Sequence, residues 1–222
     1  LEPRVLLADY DTADEKLTVH MSFQAPHMMQ HIFARHLNVP EGDVRVVCKD
    51  VGGSFGIKGH VYADEMATAA LSKMLGRPVK FSADRLESFL TDIHARSHRV
   101  HAKMAFSADG DITAIEIDDL TGVGPYSMYP RTSAMEANQV LNFTGGPYKH
   151  KNYRAKAKVV FQNKNVMCQY RAVGHPVAFA VTEALVDKGA VALGIDPVDI
   201  RRRNLICDDA YPTKGASGIA FE

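Results

Sequence analysis

The segment of this sequence best suited to bind an anion is the glycine-rich run Val51-Gly52-Gly53-Ser54-Phe55-Gly56, which follows a predicted strand and precedes a predicted helix. Glycine lets a backbone approach an anion closely, and successive main-chain N–H groups can surround it. The N-terminus of the following helix adds a favourable dipole. The run is not a phosphate-binding P-loop, because no Gly-Lys-Ser/Thr completes it, although Lys58 follows. It therefore predicts either contact with an anionic cofactor or a plain tight turn.

Two further polar residues stand next to predicted helices. Arg171 comes just before a long helix, where a guanidinium can bind an anion through two hydrogen bonds. The alternative is a surface arginine that pairs with Glu183 or with a backbone carbonyl. Gln24 precedes an earlier helix, and its neutral amide can both donate and accept hydrogen bonds. By itself, Gln24 is typical of a solvent-exposed loop.

Histidines do not form a recognisable metal-binding motif. His27 and His31 have the spacing of neighbours on a helix, but no Glu follows His27, so the pattern H-E-x-x-H is not formed. His94, His98 and His101 would share one face only in a helix, and the residues around them alternate as in a strand. We therefore expect no metal ligand from the protein itself.

The composition is that of a globular protein without excess charge. Among 222 residues, 26 Lys and Arg balance 26 Asp and Glu, which excludes a general binder of nucleic acid or of anionic membranes. No window of about 18 apolar residues predicts a transmembrane helix. Cys48, Cys168 and Cys207 are odd in number and far apart, which favours small buried side chains and a reducing, cytoplasmic compartment. The sequence starts at Leu1 rather than Met, and we interpret it as a piece of a larger protein.

Hydrophobic periodicity predicts an α+β fold of mixed sheets with packed helices, without a confident internal boundary in residues 1–222. Strands are predicted over 4–8, 17–21, 44–48, 78–81, 99–106, 112–118 and 153–161, and helices over 26–37, 63–74, 176–193 and 197–203. The second helix carries an apolar stripe of Ala63, Met66, Ala67, Ala70, Leu71 and Met74. The run Arg201-Arg202-Arg203 is expected to be a solvated helix end, where cations offset the dipole.

The order of the motifs resembles the molybdenum-binding large subunit of the xanthine dehydrogenase / aldehyde oxidase / carbon monoxide dehydrogenase family. The matching segments are Ser22-Phe23-Gln24, Asp50 to Lys58, Leu75 to Lys80, Tyr170-Arg171-Ala172-Val173-Gly174-His175-Pro176 and Ile195 to Leu205. The resemblance implies a molybdopterin-binding fold. It also implies an enzyme that inserts oxygen from water into a C–H bond of an aldehyde or an N-heterocycle.

The resemblance also assigns cofactors and residue roles. Molybdenum is held by molybdopterin, in bacteria often as the cytosine dinucleotide, and two [2Fe-2S] clusters and FAD lie on partner domains or subunits. Gln24 matches the glutamine that orients molybdenum ligands. The other residues implied at the cofactor are Gly53, Ser54, Phe55, Gly56, Arg171 and Ala172. Small residues and main-chain N–H groups suit a loop that packs against a bulky anionic cofactor.

Several positions depart from the family pattern. Ser54 and Ile57 replace glycines of the loop, and Gly59 stands where purine-oxidising members carry Glu. Val173 replaces a substrate-stacking Phe, and Ala172 stands where carbon monoxide dehydrogenase has its copper-binding Cys. Xanthine and CO are therefore disfavoured as substrates.

We therefore predict that residues 1–222 are the N-terminal part of the molybdopterin-binding region of a molybdenum hydroxylase large subunit. The family's general base, a glutamate far toward the C-terminus, is expected outside this chain, so the chain alone is expected to be inactive. The expected partners are the remainder of the subunit, the iron–sulfur and FAD components and a small-molecule substrate; a homo-oligomer is left open. The alternatives are a nucleotide- or phosphate-binding enzyme that uses residues 52–58 and a cofactor-free interaction domain.

Overall fold

The computed structural model describes residues 1–222, which form two compact units. The first unit comprises Leu1–Ile93 and Met128–Arg131, and the second comprises His94–Ser127 and Thr132–Glu222. Both mix strands and helices, which confirms the predicted α+β class. The sequence shows no glycine- or proline-rich linker at the division.

The first unit is built on a four-stranded sheet. Its elements are β1 (Val5–Asp11), β2 (Lys16–Met21), α1 (Pro26–Leu37), β3 (Val44–Val47), α2 (Ala63–Leu75), β4 (Val79–Ser82) and α3 (Arg85–Thr91). The strand order is β3-β2-β1-β4, in which only the β2–β3 pair is parallel. Helix α1 has the predicted bounds, and it packs Met29, Ile32 and Phe33 into the core because these positions share one helical face.

Helix α2 forms where it was predicted, but it buries a different face. The buried residues are Glu65, Thr68, Ala69 and Ser72. The predicted apolar stripe lies toward solvent at Leu71 and Met74, which is 80% exposed. The prediction of this face was therefore wrong. The helix ends as expected at Gly76, whose φ of 60° suits glycine.

The buried polar face of α2 contacts Arg4, a fully buried arginine just before β1. Its Nε donates to Asp92 at 2.6 Å, and its Nη atoms donate to both oxygens of Asp64 at 2.5 and 2.7 Å. The guanidinium also lies 3.8 Å from the centre of the Tyr62 ring and 3.4 Å from Glu65 Oε1. Burial of a charge requires such compensation.

The second unit contains two sheets. Its elements are β5 (His98–Phe106), β6 (Ile112–Gly122), α4 (Met135–Phe143), β7 (Asn152–Val160), α5 (His175–Leu193), α6 (Pro197–Asn204), β8 (Thr213–Lys214) and β9 (Ala220–Phe221). Strands β5 and β6 form the predicted antiparallel hairpin, with Gly110 at a φ of 93° in its turn. Helix α4, which the sequence analysis missed, is part of the crossover to β7, which pairs parallel with β6.

Helices α5 and α6 close the core of this unit over Ile112, Ile115 and Tyr148. The Asp196 side chain caps α6 as predicted, accepting from the N–H groups of its first turn. The arginine run is more ordered than a solvated helix end. Arg201 binds Glu183 and Asp187, and Arg203 binds Asp111, while Arg202 remains exposed. None of the helices is both long and apolar enough to cross a membrane.

Glu65 supplies a pH-dependent test of the first unit. Desolvation raises the pKa of Glu65 to about 7, against the attraction of Arg4, and its Oε2 atom has no hydrogen-bond partner. Because the folded pKa lies above the unfolded value of 4.5, the wild type loses stability as the pH rises from 4.5 to about 7. We expect Glu65→Gln to raise the free energy of unfolding by about 1–3 kcal/mol at pH 8.

Urea unfolding at pH 5 and pH 8 measures this effect. The gain from Glu65→Gln should be much smaller at pH 5, and the exposed Glu15→Gln should show no pH-dependent gain. Equal effects of Glu65→Gln at the two pH values would contradict the assignment.

Candidate functional site

The glycine-rich segment, residues 52–56, is an irregular loop in the first unit, which we call the first loop. Gly53, Phe55 and Gly56 have φ values of 91°, 53° and 109°. For an aromatic residue such as Phe55 a positive φ costs about 1–2 kcal/mol, and its side chain is 46% exposed. Backbone strain of this kind persists only where the surrounding structure maintains it. Such strained residues are found most often at functional sites.

Glycine is required at the start of the first loop by a close approach. A Cβ on Gly52 would lie 2.5 Å from the Cβ of Glu2, and one on Gly53 would lie 3.0 Å from the Leu1 side chain. The Gly52 N–H donates to the Glu2 carboxylate at 3.0 Å, and the Gly52 carbonyl accepts from the Glu2 N–H at 2.9 Å. The first loop is thus bound to the segment that precedes β1.

The side chain of Gln24 lies against the first loop in a fixed orientation. Its Oε1 accepts from the main-chain N–H of Gly56 at 3.0 Å and from the Ser54 hydroxyl. A main-chain N–H can only donate, so the amide oxygen faces Gly56 and the amide NH2 faces away. That NH2 group has no hydrogen-bond partner within the chain. Gln24 is therefore held as a hydrogen-bond donor.

Lys58 binds both the first loop and Gln24 and keeps them in place. Its ammonium group is buried and donates to Glu2 Oε2 at 2.6 Å and to the Ser22 hydroxyl at 2.8 Å. Its main-chain N–H donates to Ser54 Oγ at 3.1 Å, and its carbonyl accepts from the Gln24 N–H at 2.9 Å. The hydrogen bonds from Lys58 and Ser22 lower the pKa of Glu2 to about 2. The ion pair therefore persists at neutral pH.

The first loop is followed by a 3-10 turn over Ile57–Gly59, and α2 begins only at Ala63. The prediction that a helix dipole acts directly on the loop was therefore wrong. The first turn of α2 instead carries Asp64 and Glu65, whose partner is Arg4. The loop must supply hydrogen-bond donors of its own.

Arg171 and Ala172 belong to the second unit, in a turn over residues 170–174 that we call the second loop. Ala172 and Val173 have φ values of 66° and 47°, and the Val173 N–H donates to the Tyr170 carbonyl at 2.7 Å. The side chains of Arg171 and Ala172 are exposed. The alternative pairing of Arg171 with Glu183 is not formed, because Glu183 binds Tyr148 and Arg201.

The second loop is anchored to α4 by contacts that the sequence analysis missed. A Cβ on Gly174 would lie 2.6 Å from the Glu136 carbonyl oxygen and from the Val140 nitrogen, so glycine permits close packing there. The Gly174 N–H donates to Gln139 Oε1 at 3.1 Å. The guanidinium of Arg96 donates to the Arg171 carbonyl. A glycine two residues before a helical proline was the one sequence signal for this anchoring.

His98 is the second buried group that the sequence analysis did not place. It is the first residue of β5, one position before the strand predicted over 99–106, and it contacts Asp119 on β6 and Glu136 on α4. Burial disfavours its charged form, but hydrogen bonds with these two carboxylates outweigh that cost and raise the pKa of His98 to about 9. No group of three or more His, Cys, Asp and Glu side chains in residues 1–222 is arranged to hold a metal ion.

The first loop has the donors that an anionic cofactor requires. The main-chain N–H groups of Gly53 and Ser54 make no hydrogen bond within the chain, and the amide NH2 of Gln24 makes none either. Hydrogen-bond donors without protein acceptors suit the oxygen atoms of an anion. The fold and these donors are of the kind that suits a domain for an anionic cofactor bound through main-chain and amide N–H groups.

Comparison with known families identifies that cofactor class. The family model for the molybdopterin cofactor-binding domain matches residues 1–205. The chain therefore belongs to this family, which confirms the resemblance found in the order of its motifs.

The proteins that this chain resembles include a hydroxylase large subunit and a molybdenum-binding subunit. The chain is 32% identical to the nicotine 6-hydroxylase large subunit of Paenarthrobacter nicotinovorans, over 100% of this chain and 27% of that protein. It is 32% identical to a putative xanthine dehydrogenase molybdenum-binding subunit of Escherichia coli K12, over 91% of this chain and 27% of that protein. The crystal structure of quinoline 2-oxidoreductase from Pseudomonas putida 86 superposes with a TM-score of 0.94 at 32% identity, covering 99% of this chain and 28% of that one. The chain thus spans little more than a quarter of these relatives.

Lys58 should be essential for the first unit. We expect Lys58→Met to lower the free energy of unfolding at pH 7 by about 1–2 kcal/mol, because it removes the cation of a Glu2 carboxylate that water can still reach. The pKa of Glu2 is depressed to about 2, so the contribution of this pair is complete above pH 4.5 and is lost as the pH falls through about 2. Urea unfolding against pH measures both effects.

Lys16→Met is the matched control. Lys16 is exposed and lies 3.8 Å from Asp14, so its loss should change stability little. Equal effects of the two substitutions would show that the buried pair does not hold the first loop.

Proposed function

We propose that this chain is the N-terminal part of the molybdopterin-binding region of a molybdenum hydroxylase large subunit. The observation that carries the proposal is the orientation of Gln24, whose oxygen is fixed by the Gly56 N–H so that its NH2 group remains available as a donor. Membership of the molybdopterin-binding family supports an anionic acceptor for that donor.

The residues of the first loop fit an anionic cofactor, and each has a distinct task. When bound, the cofactor supplies the redox chemistry that oxidises a substrate C–H bond with oxygen from water. Gln24 would donate its amide N–H to an oxygen of the cofactor, and the main-chain N–H groups of Gly53 and Ser54 would bind further oxygens. The exposed ring of Phe55 would lie against the cofactor. Preorganised donors of this kind favour developing negative charge without reorganisation.

Arg171 and Ala172 are the residues of the second unit that we assign to cofactor binding. The hydrogen bonds and close packing described above hold their main chain in a single conformation. Arg171 supplies a positive charge to an anionic group, and Ala172 supplies a small surface. The general base is proposed to lie on the remainder of the large subunit.

The proposed substrate is an N-heterocycle or an aldehyde. Gly59 has no side chain, so this position offers no carboxylate to a purine ring. It is buried, and a Cβ there would lie 3.4 Å from Gln24 Oε1. Ala172 offers no thiol to copper, which disfavours CO. Two relatives at 32% identity are named for nicotine and quinoline, both N-heterocycles, and this supports the heterocyclic class.

The same family membership supports a proposal for the cofactor form and for the partner components. We propose the cytosine dinucleotide form of molybdopterin, and [2Fe-2S] and FAD components on partner domains or subunits. Carbon monoxide dehydrogenase large chains are among the relatives, at 28% identity, and the term large chain supports an enzyme of several chains. Because Cys48, Cys168 and Cys207 form no disulfide bond, we propose a cytoplasmic enzyme.

The nucleotide-binding alternative is disfavoured by the place of Lys58. A phosphate-binding loop requires a lysine that reaches the ligand, whereas the ammonium of Lys58 is 1% exposed and bound to Glu2 and Ser22. The cofactor-free alternative is addressed by measuring molybdenum. We expect about one molybdenum atom per large subunit in the purified native complex, by elemental mass spectrometry. A ratio near zero would overturn the proposed function.

Gln24→Glu tests the donor role in the complete enzyme. The carboxylate that this substitution introduces can still accept from the Gly56 N–H and the Ser54 hydroxyl, but it cannot donate and it adds negative charge. We expect the rate of substrate oxidation to fall by about 10²–10³-fold, the effect of removing one preorganised donor. Oxidation of a panel of N-heterocycles and aldehydes with an artificial electron acceptor measures it.

The control is Gln162→Glu, an equal change of charge at an exposed position of the second unit. It should leave the rate and the molybdenum content unchanged. Wild-type rates in the Gln24→Glu enzyme, with molybdenum present, would remove Gln24 from the site.

A further inference from the structure

The proposed function makes no use of the buried histidine of the second unit. His98 Nδ1 lies 2.9 Å from Asp119 Oδ2, and His98 Nε2 lies 3.1 Å from Glu136 Oε1. All three side chains are almost completely buried. The Thr121 hydroxyl donates to Asp119 Oδ2 at 2.7 Å. A neutral imidazole has one N–H, but two carboxylates flank this ring, so only the imidazolium can donate to both.

The same carboxylate connects His98 to Arg96. Glu136 Oε1 accepts from the main-chain N–H of Arg96 at 2.7 Å, in addition to His98 Nε2. Arg96 has a φ of 64°, a conformation that non-glycine residues rarely adopt. The hydrogen bond to Glu136 therefore fixes the direction in which the Arg96 side chain leaves the backbone.

Arg96 in turn holds the second loop. Its guanidinium donates to the main-chain carbonyl of Arg171, and it lies 5.6 Å from the centre of the Tyr170 ring. Charge-assisted hydrogen bonds to a carbonyl are stronger than neutral ones. Glu136 contributes a second time, because its own carbonyl packs against Gly174. One turn of α4 thus contacts both Arg96 and Gly174, the last residue of the second loop.

We propose that Arg96, oriented by the buried Asp119–His98–Glu136 group, is a positioning residue that holds the second loop where Arg171 and Ala172 meet the cofactor. The role at the cofactor rests on the proposed function, whereas the role in holding the loop does not. Arg96 acts through the Arg171 carbonyl and requires no contact with substrate.

The charge of His98 supports this arrangement over the neutral pH range. Its folded pKa is raised from 6.5 to about 9, so the stabilisation is complete below pH 6.5 and is lost as the pH rises through about 9. The titratable groups that face it are Asp119 from β6 and Glu136 from α4. The second loop is therefore expected to be held at neutral pH and to loosen above pH 9.

Hydrogen exchange in the complete enzyme complex tests the proposal. The Val173, Gly174 and His175 N–H groups bind Tyr170, Gln139 and Ala172, so a peptide over 169–176 reports on the loop. We expect Arg96→Met to speed exchange of this peptide by about tenfold, because one charge-assisted bond is lost. A peptide over 99–106 should not change. Arg96→Lys, which keeps a donor, should restore most of the protection.

Arg99→Met is the matched control, since Arg99 is exposed on the neighbouring strand and makes no contact with the loop. In the molybdenum-loaded enzyme we expect Arg96→Met to lower kcat by about tenfold with little change in KM, as for loss of positioning. The electron paramagnetic resonance signal of the reduced metal should shift in Arg96→Met and return in Arg96→Lys.

The outcomes are distinct. Unchanged exchange in Arg96→Met would overturn the proposal. Faster exchange with unchanged kcat and spectrum, in a loaded enzyme, would overturn its role at the cofactor. If the wild-type complex holds no molybdenum, the proposed function fails, while exchange of the cofactor-free protein still decides whether Arg96 holds the second loop.

Discussion

The buried ammonium of Lys58 is the contact on which the candidate site depends. Through its side chain, Lys58 joins Glu2 to Ser22, and through its main chain it joins Ser54 to Gln24. A buried cation must keep its partners, because the cost of leaving it unpaired is several kcal/mol, about the scale of a domain's whole stability. Because Lys58 must keep these partners, it also fixes the first loop, whose own backbone conformation is unfavourable. The strained backbone of Phe55 and the fixed amide of Gln24 are both consequences of it.

Buried charge has the same role in both units. Arg4, Lys58 and His98 each bind carboxylates or hydroxyls from separate parts of the chain, and each lies beside a loop or a helix end. These groups are not a general source of stability, since apolar side chains of similar size often serve as well. Their advantage is direction, because hydrogen bonds fix the orientation of a side chain where apolar packing fixes only its place. A site that must present donors at defined positions benefits from this difference.

Local pattern was sufficient to predict most elements. The bounds of α1, the hairpin of β5 and β6, and the cap of α6 follow from periodicity, turn residues and a capping Asp. The buried face of α2 did not follow, because Glu65 and Ser72 are buried by virtue of partners that lie far along the chain. The order of motifs indicated the first loop, but Glu2 is 56 residues from Lys58 and Arg96 is 75 from Arg171. Single-sequence patterns carry no information on such pairs.

The close packing of Gly174 against α4 also constrains the order in which the second unit can fold. The Gly174 backbone meets the Glu136 and Val140 main chain with no room for a side chain, so the second loop cannot take its native position until this turn of α4 exists. Helix α4 is itself part of the crossover that brings β7 beside β6. This long-range parallel pairing forms slowly, because the entropy of the connecting chain is lost before the strand contacts form. The hairpin of β5 and β6 requires neither step. We expect the hairpin to appear early on the folding pathway and the Arg171 loop to appear late, so that this loop takes its shape only when the sheet beneath it is finished.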